Sequence, residues 1–196
     1  MKTRDVGYRA SEVAKAARVL PSTVRYWAGG WSGRLIRPDI EDKRLAGSRK
    51  LFSARNIVQV RIAQVLLQAG FTRARVAKIL ALPRPRVRGA DWFDPFQPLG
   101  LEYALMVIRE PPPRGTAEAY MSGDDLKPGA RRSWLEAMVG AAGPDFELLR
   151  VDFPDGWRPQ VPCLPEDAAQ CGELIGARVI WLLNIKKMRD EIRQRL

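Results

Sequence analysis

The chain changes character at Leu82-Pro83-Arg84-Pro85-Arg86-Val87-Arg88-Gly89, and this break constrains the fold more than any other feature. Proline has no amide hydrogen and its ring clashes with the preceding helical turn, so a helix does not run through such a stretch. The segment reads as a linker over 83–100, with Arg84, Arg86 and Arg88 as solvated charges. The charge divides at the same place. Residues 1–90 hold 20 Lys/Arg against 5 Asp/Glu, a net of +15, and residues 91–196 hold 13 against 17, a net of −4. A chain of 196 residues has room for one domain or two small ones. The expected organisation is therefore a basic domain over 1–82, a Pro/Arg-rich linker over 83–100 and a second domain over 101–196. A basic domain suggests a polyanion as partner.

Composition removes several chemistries. There is no histidine, so histidine triads, histidine general bases and two-histidine zinc motifs are excluded. Cys163 and Cys171 cannot close a tetrahedral zinc site alone, and two cysteines do not make a disulfide framework; reduced thiols are expected. Carboxylates such as Asp124, Asp125, Asp152 and Asp155 could hold magnesium, but they fall in Gly/Pro-rich stretches where turn residues are the default. No catalytic residue, metal site or cofactor is expected, and the chain does not read as an enzyme. No apolar run reaches the ~18 residues of a membrane span, and Met1-Lys2-Thr3-Arg4-Asp5 lacks the apolar core of a signal peptide. A cytoplasmic protein with no membrane partner is expected.

In the basic half, Ser11 can cap a helix whose Val13, Ala16 and Ala17 share one face. Pro21 suits the first position of a new helix. Ser22-Thr23-Val24-Arg25-Tyr26-Trp27 continues it and Gly29-Gly30 stops it. Val24 and Trp27 face inward, leaving Ser22, Thr23, Arg25 and Tyr26 on the other surfaces. Two short helices joined by a tight turn describe a helix-turn-helix, whose second helix presents hydroxyls, a guanidinium and a phenol to phosphates and base edges. Two short strands around Glu41–Arg49 would form a basic wing, with Lys43, Arg44, Arg49 and Lys50 as phosphate contacts. A third helix begins after the cap Ser53, with Phe52 and Ile57 as a hydrophobic staple and a stripe of Val58, Ile62, Val65, Leu66 and Ala69. It stops at Gly70. Thr72 caps a fourth helix with Val76, Ile79 and Leu80 on its apolar face.

These segments, in this order and spacing, resemble the MerR-type winged helix-turn-helix domain from about Tyr8 to Leu82. The matching pieces are Tyr8-Arg9-Ala10-Ser11-Glu12-Val13-Ala14, Thr23-Val24-Arg25-Tyr26-Trp27, Lys50-Leu51-Phe52-Ser53 and Leu66-Leu67-Gln68-Ala69-Gly70-Phe71. The resemblance implies that the helix carrying Thr23, Arg25 and Tyr26 enters the major groove of duplex DNA. It further implies that Lys50 or Arg49 supplies the wing's phosphate contact. The sequence departs from the family at three places. Arg18 stands where a turn glycine is usual, Leu20 replaces the usual Ser or Thr cap, and Gly29-Gly30-Trp31-Ser32-Gly33 lengthens the connection.

The acidic half carries weaker signals. Asp91-Trp92-Phe93-Asp94-Pro95-Phe96 reads as a loop whose rings tuck back onto the core. Tyr103–Ile108 is expected as a buried strand ended by Pro111-Pro112-Pro113, Ala117–Tyr120 as a second short strand, and Leu149, Val151 and Phe153 as an alternating one. Ser133 would cap a helix, and Val161–Pro165 would be a connection. Near the C-terminus, Ala177–Ile185 reads as a buried strand followed by a helix over Lys186–Leu196. A single helix from Cys171 with Ile175, Val179, Leu182, Ile185, Met188, Ile192 and Leu196 as its stripe, suited to dimerisation, is the alternative.

The expected fold is thus a mainly α winged helix-turn-helix domain followed by a small α+β domain. The expected function is a transcriptional regulator that binds double-stranded DNA as a homodimer through residues 21–28 and 41–50. An antitoxin-like or adaptor protein is the alternative: its C-terminal domain would bind a protein partner and its N-terminal domain would autoregulate the operon. A protein partner or a small-molecule effector is expected at residues 101–196 in either case.

Overall fold

The computed structural model describes residues 7–29, 34–42, 49–81, 86–87, 90–98, 104–110, 119–123, 143, 145–152 and 178–196. They divide into two compact units. The first comprises Met1–Leu99 together with Met188–Leu196, and the second Gly100–Lys187. The first unit is therefore assembled from two separate pieces of sequence.

Helix α1 spans Ala10–Ala17 and buries Val13, Ala14, Ala16 and Ala17. Its cap differs from expectation: Ser11 lies inside the first turn. The N-cap is Arg9, whose amide donates to the Glu12 carboxylate at 2.6 Å. A carboxylate at the third helical position can satisfy that amide whatever the cap side chain is. Helix α2 spans Pro21–Gly29, with Val24 and Trp27 buried. The Trp27 carbonyl, which would otherwise be orphaned at the helix end, accepts from the amides of Leu35 and Ile36 at 2.9 and 3.1 Å. Both of these residues are buried.

Strands β1 (Ile40–Asp42) and β2 (Arg49–Leu51) pair antiparallel, placing Glu41 opposite Lys50 and Asp42 opposite Arg49 in the register. An isolated bridge joins Tyr8 to Phe52. A Cβ on Gly7 would lie 2.8 Å from that of Leu51, so the close approach of the two segments requires glycine.

Helix α3 spans Ala54–Gln68. As expected, Ser53 caps it: its hydroxyl accepts from the Asn56 amide at 3.3 Å and donates to Asp39 at 2.8 Å. Val58, Ile62, Val65 and Leu66 of the expected stripe are buried, and burial extends beyond it around the helix. Ten residues of α3 are buried, among them Asn56, Gln59 and Arg61. The helix is surrounded, and its polar side chains are tolerated because they are hydrogen-bonded. Asn56 donates to the Arg37 carbonyl at 3.2 Å and to Gln59 at 2.9 Å, and Arg61 donates to the Ala17 carbonyl at 3.4 Å. Gly70 follows with a φ of 90°. Helix α4 (Arg73–Leu80) is capped by Thr72 and buries Val76, Ile79 and Leu80.

Residues 83–100, expected as a linker, contain folded structure and lie within the first unit as far as Leu99. Strands β3 (Arg86–Val87) and β4 (Ala90–Asp91) form a two-stranded ribbon. Trp92 and Phe93 then tuck inward as expected, each 2% exposed, whereas Phe96 remains 42% exposed. Helix α4 does end before the prolines, but local hydrogen bonds organise the chain beyond them. Asp91 and Asp94 accept from the amides of Phe93 and Phe96, each at 2.9 Å. Asp91 also pairs with Arg55 of α3 at 2.5 Å.

The second unit contains a four-stranded antiparallel sheet in the order β6-β5-β8-β7. Its strands are β5 (Ala104–Glu110), β6 (Ala119–Gly123), β7 (Leu148–Asp152) and β8 (Val179–Asn184). Val107, Ile180 and Leu182 are fully buried, with Phe146, Leu149 and Val151 packed against them. The helix expected from Ser133, the connection Val161–Pro165, both cysteines and Asp124, Asp125 and Asp155 lie outside the described residues. Asp152 is held by Arg150 at 2.7 Å.

The C-terminal segment is strand then helix. Helix α5 (Ile185–Arg195) follows β8 with no intervening residue, and the Asn184 side chain accepts from the Lys187 amide at 3.0 Å. Its apolar side consists of Ile185, Met188 and Ile192, all buried. From Met188 onward it belongs to the first unit. Among the described residues no helix is long and apolar enough to cross a membrane.

Candidate nucleic-acid interface

Helix α2 projects one polar face to solvent. Ser22, Arg25 and Tyr26 lie at i, i+3 and i+4, and all three are exposed. Tyr26 is 57% exposed although it is a large aromatic residue. The inward residues Val24 (0% exposed) and Trp27 (7%) fix the rotation of the helix, so the outward triad follows from their burial.

Thr23 stands apart from these three. It is half-buried and lines an open cleft of about 450 Å³ with Leu20, Trp27, Gln64 and Leu67. Arg49 and Lys50 fall in β2, and Lys43 and Arg44 lie outside the described residues; among the expected contacts whose side chains are described, Ser22, Arg25 and Tyr26 share one exposed face.

One neighbour of this face is absent from the sequence expectation. The Arg73 guanidinium lies over the Tyr26 ring, 4.5 Å from its centre. A cation over an aromatic face gains from the ring quadrupole and restricts the ring's rotation. Arg73 is the first residue of α4, and Arg75 two positions on stacks over Phe71 at 4.7 Å. The first turn of α4 holds no acidic residue. Two cations there oppose the helix dipole. Their stacking over Tyr26 and Phe71 offsets part of that unfavourable placement.

The turn that delivers α2 is also unusual. Arg18 adopts φ 57°, ψ 46°, the left-handed conformation that a glycine normally takes at a helix C-terminus. It is the sole non-glycine with positive φ among the described residues. Arg18 thus holds this turn in a left-handed conformation at a local conformational cost.

Two buried or half-buried groups near this framework have shifted acidities. Burial, with the carboxylates of Glu12 and Asp94 adding to it, raises the Tyr8 phenol above its ordinary value of 10.0. Burial lowers the Arg189 guanidinium below its ordinary value. In the second unit, the hydrogen bond to Asp152 raises Arg150.

A tight pair of short helices, a buried third helix behind them and an outward polar face on the second define a helix-turn-helix unit. Residues 8–82 match the family model described as MerR HTH family regulatory protein. The match is confined to that segment, and residues 83–196 lie outside it. No curated protein matches the chain. The matched family is one of regulatory DNA-binding proteins, which points to DNA binding and transcription regulation for this segment.

Proposed function

We propose that the protein is a sequence-specific transcriptional regulator of the cytoplasm that binds duplex DNA as a homodimer. Helix α2 enters the major groove, where Arg25 reads a base edge and Ser22 and Tyr26 fix the register on the backbone. The β1–β2 hairpin acts as a wing, with Lys43, Arg44, Arg49 and Lys50 contacting phosphates, while Thr23 supports α2 from the cleft side. The observation that carries this reading is the exposed Ser22/Arg25/Tyr26 face on the second helix of a segment that matches a regulatory DNA-binding family.

The second unit, with its own sheet, takes the effector or partner role. Co-purification of a stoichiometric protein with residues 100–187, coupled to loss of DNA binding, would favour the antitoxin-like variant of the reading.

The test is capture of genomic fragments by purified protein, footprinting of the recovered sites, and gel-shift titration of Arg25→Ala. The substitution is expected to weaken binding by about 1–3 kcal/mol and to relax discrimination at one base pair. Affinity for the site should also fall steeply as salt rises, with a slope of about −0.9 per neutralised phosphate. Unchanged affinity in Arg25→Ala would refute the assignment of α2 as the reading helix.

A further inference from the structure

Helix α1 ends in carbonyls that its own hydrogen bonds do not satisfy. Three consecutive ones are held from elsewhere in the first unit. The Ala16 carbonyl accepts from Arg195 Nη1 at 3.0 Å, the Ala17 carbonyl from Arg61 Nη1 at 3.4 Å and the Arg18 carbonyl from Gln64 Nε2 at 3.1 Å. Two of these donors belong to α3. The third is the last residue of α5, 179 positions away from its acceptor.

Arg195 is itself fixed. Its Nη2 donates to Glu191 at 2.6 Å, and its side chain is 21% exposed. The same carboxylate lies 3.9 Å from Arg18 Nη2. Two turns earlier, Arg189 is 4% exposed and donates to the carbonyls of Asp94 and Gln97. Met188 and Ile192 complete the buried side. The end of α5 is thus anchored by packing and by two arginines, and Arg195 projects from it onto the turn between α1 and α2. A cation at a helix C-terminus is also favoured by the helix dipole.

We infer that Arg195 is a positioning residue for DNA recognition: by holding the Ala16 carbonyl it fixes the left-handed turn at Arg18 and hence the direction in which α2 leaves it. This rests on the assignment of α2 as the DNA-reading helix. The side chain touches no nucleic acid in this role. Its effect falls on base discrimination, which needs α2 at one angle, far more than on phosphate attraction, which the loss of one charge from a net +11 alters little.

The full-length protein is compared with Arg195→Gln and Arg195→Lys in two measurements. The first is amide hydrogen exchange without DNA. The amides of Val19, Thr23 and Val24, which close the turn and start α2, are expected to exchange at least fivefold faster in Arg195→Gln, with Ile57–Leu66 of α3 unchanged. Arg195→Lys, which keeps a cation at the same carbonyl, is expected to restore most of the protection. Unchanged exchange at these amides, or equal acceleration in α3, overturns the positioning role. The second is titration with two probes: 30-base-pair duplexes enriched from a randomised pool by the wild-type protein, and the starting pool itself. Arg195→Gln is expected to bind the enriched duplexes five- to tenfold more weakly and the pool within twofold of wild type. Equal weakening on both probes overturns the inference. If the exchange result holds but the wild type enriches no sequence, or Arg25→Ala binds the enriched duplexes normally, it is the DNA-reading role of α2 that fails.

Discussion

Ile192 offers a direct measure of how firmly the last helix belongs to the first unit. It is fully buried, lies between Arg189 and Arg195 at i−3 and i+3, and sits one turn from the buried Met188. Ile192→Ala removes three carbons, about 2.4 kcal/mol at roughly 0.8 kcal/mol per buried group. The space left behind, on the order of 50 Å³, adds about 1 kcal/mol. Alanine's better helix propensity returns a few tenths. The net loss is about 3 kcal/mol, a large part of the ~5–15 kcal/mol that holds a typical domain together. Urea denaturation followed by amide exchange locates the loss. Protection at Ile57–Leu66 of α3 should fall by about 100-fold, since 1.4 kcal/mol corresponds to a factor of ten. Amides of Val107 and Leu182, in the sheet of the second unit, should change much less. A loss below about 1 kcal/mol, or a loss of protection confined to the sheet, would show that the end of α5 does not complete the first unit, and the reasoning would fall.

Three further outcomes are expected. Ser53→Ala removes a hydroxyl that both caps α3 and donates to Asp39, and should cost about 1–2 kcal/mol in a chemical melt, with Ser53→Thr close to wild type. Arg18→Gly relieves a left-handed non-glycine and gives up only a 3.9 Å pair whose arginine is largely exposed; it should raise the stability by about 0.5–1 kcal/mol, and a lower melting temperature would contradict the strain argument. Tyr8 is raised by burial, so the fold favours the neutral phenol. The stability it contributes is intact below the ordinary value of 10.0 and is lost as pH climbs through the higher folded value. Wild type should therefore lose more melting temperature than Tyr8→Phe between about pH 8 and about pH 11, and parallel losses would contradict the shift.

The N-terminal half is largely legible in the sequence because its signals are local. Pro21 marks the start of α2, and Gly29 its end. Ser53 and Thr72 cap helices through bonds to amides three residues on, which a sequence window can see. The burial of Val24 and Trp27 then dictates that Ser22, Arg25 and Tyr26 face outward. Thr23 looks like a fourth member of that face because a short helix offers no local sign of which flank another element will cover. The Tyr26–Arg73 stack depends on how α4 meets α2, which only tertiary packing decides. Residues 83–100 resemble a linker for a related reason. Their prolines exclude helix, but Asp91 and Asp94 order the backbone through side-chain bonds that no hydrophobic period reveals. The apolar stripe of α5 is visible, yet a stripe does not say which core it will join.

The first unit is interrupted, and this constrains the order of folding. Arg195 and Ala16 are 179 residues apart, so docking α5 closes a very long loop. Closure entropy grows only with the logarithm of loop length, about 0.6 kcal/mol per doubling, but contacts of such separation slow the search for the native state. If Gly100–Lys187 folds first, roughly half of that separation is no longer free chain, and the two remaining pieces meet with about 0.6 kcal/mol less to overcome. In that order of events the interrupting unit would ease assembly of the one it interrupts. Destabilising its sheet should delay maturation of the first unit even where the finished structure is unchanged.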